Sequence, residues 1–150
     1  MSDSAHIPTH YHLVGDIGGT NARFAFVPPG ASRPTALAKY PVADFSCFDD
    51  VLARLLTDWR ERGLPETGPD KTCLAVAAPP HLDTISFTNS PWRFDRALLE
   101  RHLQRSSITI INDFAAVARA LPALTDSDVE QIGAGTSSAG APMVAIGPGT

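Results

Sequence analysis

Leu13-Val14-Gly15-Asp16-Ile17-Gly18-Gly19-Thr20-Asn21-Ala22-Arg23 joins two short apolar runs, Tyr11 to Val14 and Phe24 to Val27. Runs of this length, rich in Val, Phe and Tyr and parted by glycines, predict strand, tight turn, strand, with Gly15 to Arg23 as the connection. Paired glycines let backbone amides approach an anion, Thr20 and Asn21 add side-chain donors, and Asp16 offers a carboxylate to a magnesium ion or its waters. That set suits a polyphosphate. An ordinary hairpin turn uses the same residues, so spacing alone leaves both readings open. The stretch is not a Walker A loop, and Gly133-Ala134-Gly135, the nearest thing to a dinucleotide fingerprint, lacks its third glycine.

Outward from the hairpin, Pro28-Pro29-Gly30 ends the second strand, and a third extended segment is expected around Ala36 to Val42. Phe48, Val51, Leu52, Leu55, Leu56 and Trp59 recur at helical spacing and predict a helix over 48–62. Ser46 is its expected cap, Asp49 and Asp50 favour the positive end of its dipole, and Gly63 with Pro65 stops it. Thr72 to Ala78, closed by Pro79-Pro80, reads as a buried strand, and Thr84 to Thr88 as a shorter one. Asp95 caps a second helix to about Gln104, with Leu98, Leu99 and Leu103 on its apolar face. Ser107 to Ile111 is a further buried strand, followed by a helix over 114–121 that Pro122 terminates. Met143 to Ile146 reads as one more short strand, and the small-residue run Gly133 to Gly140 as a loop.

The chain has 150 residues, 43% of them apolar, enough for one domain with a buried core. Its formal charge of −4 comes without any cluster of Lys and Arg, which argues against affinity built on nucleic-acid phosphates. Met1 to His12 holds no cationic start followed by an apolar run, and no apolar run approaches the ~20 residues that cross a bilayer, so no membrane partner and a cytoplasmic location are expected. Cys47 and Cys73 stand far apart without His or Cys companions at metal spacing and read as two reduced thiols. Because the sequence stops just past a strand–loop transition, a piece of a longer protein is expected.

Three further segments carry polar chemistry. Asn112-Asp113 stands at the carboxyl end of a buried strand, the edge where open α/β sheets bind ligands. A carboxylate there can take a proton from a hydroxyl while Asn112 bonds its neighbour; Asp113 is equally a good helix cap. Thr88-Asn89-Ser90-Pro91-Trp92 is a polar loop whose aromatic could stack on a sugar, or a plain surface turn. Gly147-Pro148-Gly149-Thr150 could be a second phosphate loop. The five histidines are scattered and receive no role.

Together, Leu13 to Arg23, Thr88 to Phe94, Ile110 to Val117 and Gly147 to Thr150 resemble, in order, the bacterial glucokinase family within the hexokinase, actin and heat-shock chaperone ATPase superfamily. The resemblance spans nearly the whole chain, and its first and third motifs are specific. It implies an α/β, ribonuclease H-like (actin-like ATPase) mixed sheet with antiparallel N-terminal strands flanked by helices. It also implies a tail over 1–12, a small domain over 13–122 and the opening of a larger domain over 123–150.

By position, Gly15, Asp16, Ile17, Gly18, Gly19 and Thr20, with Gly147, Gly149 and Thr150, would hold ATP, and Asp16 would meet Mg2+ through water. Asp113 would be the catalytic base, with Asn112, Asp113 and Asn89 at the sugar. Glucose is then the expected substrate, ATP and Mg2+ the cofactors, and a homodimer the expected assembly of the full-length enzyme. The fragment alone is expected to be inactive, since further sugar contacts and the adenosine pocket would follow Thr150. A kinase for another hexose is the nearest alternative. A non-catalytic sugar sensor of the same fold is the next, although the twelve residues ahead of the first strand leave no room for a DNA-binding helix-turn-helix.

Overall fold

The computed structural model describes residues 10–87, 90–104 and 106–147. Strands β1 (His12–Ile17), β2 (Asn21–Val27) and β3 (Thr35–Pro41) form an antiparallel meander. Strands β4 (Lys71–Val76) and β7 (Ser107–Asn112) add to it in parallel, giving the order β3-β2-β1-β4-β7. A separate two-stranded ribbon pairs β5 (Thr84–Ser86) with β6 (Arg93–Asp95). The helices are α1 (Phe48–Glu61), α2 (Arg96–Leu103) and α3 (Asp113–Ala120).

Side-chain alternation along a strand puts Leu13, Gly15 and Ile17 on one face of β1, beside Ala22 and Phe24 of β2 and Leu74 and Val76 of β4. This face is buried under α1, whose Phe48, Val51, Leu52, Leu55 and Trp59 are at most 1% exposed. Trp59 meets Tyr11 and Phe26 edge-on, and Phe48 stacks on Phe94 of β6 with centroids 4.2 Å apart. Each large apolar side chain sealed in this way stabilises the fold by about 1.5–3 kcal/mol before entropy is set against it.

The helix ends follow local chemistry. In α1 the cap position belongs to Cys47, which makes no side-chain cap bond, so Ser46 does not cap; Asp49 and Asp50 alone favour that end. At its other end Gly63 (φ 86°) donates to Arg60 O and Leu64 N donates to Trp59 O, the paired bonds of a Schellman stop that a left-handed glycine permits. Asp95 caps α2 as expected, its Oδ1 accepting from Leu98 N at 2.7 Å.

Three expectations are corrected. The connection in the first hairpin is only Gly18 to Thr20, because β1 runs on through Gly15-Asp16-Ile17 and β2 begins at Asn21. Met143 to Ile146 forms no strand; a strand needs a hydrogen-bonded neighbour, and Val144 and Ile146 lie 76% and 92% exposed. Trp92 is 1% exposed, with its indole N–H donating to Phe45 O at 3.1 Å and its ring edge against Phe48, so it fills the core and cannot stack on a sugar.

Candidate active site

Register sets the site. Ile17 of β1, Val76 of β4 and Asn112 of β7 lie in one row across the sheet, so whatever follows each of them emerges at the same edge. After Ile17 comes the Gly18–Thr20 turn, after Val76 the segment from Ala77 to His81, and after Asn112 the residue Asp113. Neighbouring strands are about 4.8 Å apart, which places the turn and Asp113, two strands away, roughly 10 Å apart along that edge.

The turn is tight. Gly18 N donates to Asn21 O at 3.0 Å, and Thr20 O accepts from Val42 N at 2.9 Å, tying the tip to the 3₁₀ turn after β3. Neither Gly18 nor Gly19 has a positive φ, so what glycine supplies here is bare backbone rather than left-handed conformation. Gly15 differs from both. It sits within β1, where an added Cβ would come 2.8 Å from Leu74 Cδ2 and 3.0 Å from Phe24 Cδ1, so the core requires this glycine. Ile17 is likewise fully buried. Asp16 points to the opposite face, its Oδ2 accepting from Arg23 Nη1 at 2.8 Å across the β1–β2 pair. Both side chains are about half exposed (53% and 45%), so the pair contributes at most about 1 kcal/mol and leaves Asp16 within reach of solvent.

At the other end of the row Asn112, not Asp113, caps α3: its Oδ1 accepts from Ala115 N at 3.2 Å. Asp113 is the first residue of the helix. Its Oδ1 accepts from Asn112 Nδ2 and from Phe114 N, both at 2.9 Å. Among the described residues Oδ2 has no donor. The neighbour therefore caps the helix, and one oxygen of Asp113 is anchored while the other accepts no hydrogen bond among the described residues. Asn112 keeps one N–H and one carbonyl lone pair. Asn112 and Asp113 share an open groove of about 500 Å³ with Ala77 to His81.

His81 is the member of this groove that sequence reasoning passed over. Pro79-Pro80 was legible as the stop of a strand, but that the next residue turns toward β7 depends on the parallel β4–β7 pairing. Asn89, Gly149 and Thr150 lie outside the described residues; Gly147 is described and touches α3. Beneath α3, burial pushes the Cys73 thiol up from its ordinary value, opposed by the nearby Arg119. Among the described residues no three metal-ligating side chains converge, and no helix is long and apolar enough to cross a membrane.

Comparison with known proteins identifies the family and the fold. The family model described as Glucokinase matches residues 13–150. The glucokinase of Marinobacter nauticus is 38% identical over 141 residues, and that of Hahella chejuensis 36% over 140. The aligned part is 94% and 93% of this chain but 42% of either relative, so the chain spans about two-fifths of their length. Among solved structures, a glucokinase from an Antarctic psychrotroph superposes with a TM-score of 0.71 at 30% identity, covering 86% of this chain and 40% of its own. A glucokinase of Balamuthia mandrillaris in complex with glucose, 22% identical with a TM-score of 0.55 over 79% of this chain and 33% of its own, shares the fold. The sheet is thus the ribonuclease H-like, actin-like ATPase sheet expected from the motifs, and the chain belongs to the glucokinase family.

Proposed function

We propose that the full-length protein transfers the γ-phosphoryl group of magnesium-ATP to the 6-hydroxyl of glucose, and that this chain supplies the phosphate turn and the proton acceptor. The observation that carries the reading is Asp113: it lines an open groove one residue past the row that also launches the Gly18–Thr20 turn, with one oxygen held by two donors and the other without a donor among the described residues. A carboxylate held this way accepts the hydroxyl proton as the oxygen attacks in line. Asn112 can orient the sugar with its remaining N–H and lone pair, and Asn89 would sit near the sugar by the resemblance of its motif.

Gly18, Gly19 and Thr20 would hold donor phosphates through backbone amides, with Gly147, Gly149 and Thr150 as the second loop. Gly15 and Ile17 support that turn from inside β1, while Asp16 adds charge beside it. Mg2+ would neutralise charge on the phosphates, and Asp16 fits an outer-sphere role, since this ion keeps most of its water and needs one or two carboxylates beside the substrate. Residues 13–122 would form the smaller of two domains and 123–150 the start of the larger, with closure excluding water from the groove. A cytoplasmic location, where ATP and free sugar meet, and a homodimer belong to the same reading; sedimentation of the full-length protein tests the latter.

In the full-length protein, Asp113→Asn should retain glucose binding by calorimetry and lose kcat by about 10²-fold or more. Near-normal turnover in that variant would overturn the assignment.

A further inference from the structure

Asp16 and Arg23 stand directly opposite each other on β1 and β2, and the residues on either side of them are locked in the core. Ile17, Ala22 and Phe24 are at most 1% exposed, and at Gly15 the packing leaves no room for a Cβ. A slip of one residue would carry these positions out of the core, so burial, not the ion pair, fixes the register that matches Asp16 with Arg23. Directly opposite residues have Cβ atoms about 5 Å apart, so the two charges stay neighbours even when the side chains move. On the other side of Asp16 the same row continues with Ala75 and Ile111, which carry no charge. Among the described residues Arg23 alone donates a hydrogen bond to Asp16, through Nη1 at 2.8 Å. Core packing thus sets a carboxylate and a guanidinium side by side just ahead of and just behind the Gly18–Thr20 turn, although a half-exposed pair adds little to stability.

We infer that Arg23 is a positioning residue that acts through Asp16: it is the counter-charge that sets how strongly nucleotide binding depends on magnesium. This rests on the reading given above, in which the turn holds donor phosphates and Asp16 meets Mg2+ through water. A carboxylate beside a phosphate cradle repels the polyanion, and a guanidinium held against that carboxylate offsets the repulsion. The same guanidinium competes with a hydrated cation for the carboxylate's negative charge. With Arg23 in place, free ATP is tolerated at the turn and the benefit of Mg2+ is moderate. Without it the carboxylate stands alone, free ATP is disfavoured and Mg2+ matters more.

The test uses the full-length protein and calorimetry of ATP binding, once with Mg2+ and once with a chelator in its place, so that turnover plays no part. The readout is the factor by which Mg2+ tightens ATP binding. Arg23→Gln should raise that factor about threefold to fivefold, the range open to a half-exposed pair, chiefly by weakening binding in chelator. The rise should shrink as salt approaches about 1 M, where charges are screened beyond about 3 Å, and glucose affinity should stay within about twofold. In an Asp16→Asn background, Arg23→Gln should move the factor by less than about twofold, because the partner it acts through is gone. An unchanged or lowered factor in Arg23→Gln, or the same rise with Asp16 already replaced, would overturn the inference. Failure of the underlying reading shows differently: Asp16→Asn alone would leave the factor at its original value, which removes the magnesium role of Asp16 and this inference with it, whereas a factor lowered by Asp16→Asn but unmoved by Arg23→Gln removes the inference only.

Discussion

Gly15 and Gly18 sit three residues apart in one motif and are glycine for different reasons. At Gly18 an added Cβ would meet only Asn21 O at an ordinary 3.6 Å, whereas at Gly15 it would press on Leu74 and Phe24, themselves 0% and 1% exposed and unable to yield. Gly15→Ala should therefore lower stability by about 1–2 kcal/mol: the overpacking cost exceeds the few tenths to 1 kcal/mol gained by stiffening the unfolded chain. Urea denaturation midpoints check this. Tyr40 offers a pH test. Burial first, and then its hydrogen bond to Asp58 Oδ2 at 2.7 Å, raise the Tyr40 pKa well above the usual value near 10. A group whose pKa is raised by folding adds stability that is whole below its unfolded value and fades as pH climbs above it. Unfolding free energy should thus fall above about pH 10, and Tyr40→Phe should flatten that decline while costing about 1 kcal/mol at neutral pH for the lost bond.

Elements were legible where periodicity was long and where caps were local. The apolar spacing of α1 and its glycine stop predicted a helix that differs by one residue at its end, and Asp95 predicted the start of α2. Asp95→Ala should cost about 1 kcal/mol through the lost bond to Leu98 N, seen as a lower midpoint with an unchanged m-value. Short elements misled. Three residues of β6 carry too little pattern to be seen, and the Met143 to Ile146 run was apolar enough for a strand yet pairs with no neighbour among the described residues. The cap of α3 fell to Asn112 because β7 ends one residue later than its apolar run, making Asn112 the last strand residue and Asp113 the first helical one.

Across the whole molecule, order should be uneven. The core lies between one sheet face and α1 with α2, whereas α3 has no buried residue and exposes Phe114 and Val117 by 43% and 49%. Amides of 117–120 should consequently exchange at least about 10-fold faster than those of 52–59, since local opening there uncovers little apolar surface. Equal protection of the two helices would contradict this. The sequence by itself determined the hairpin, the long helix, the order of the motifs and the family they resemble, because those signals are local: turn glycines, apolar spacing, caps and strand-ending prolines. Tertiary structure alone decided that Trp92 serves the core, that Gly15 answers to packing, that His81 joins the groove and that Asn112 frees an oxygen of Asp113. Each of these depends on how strands pair and where they end, and the pairings join residues up to about sixty positions apart, a relation no local pattern encodes.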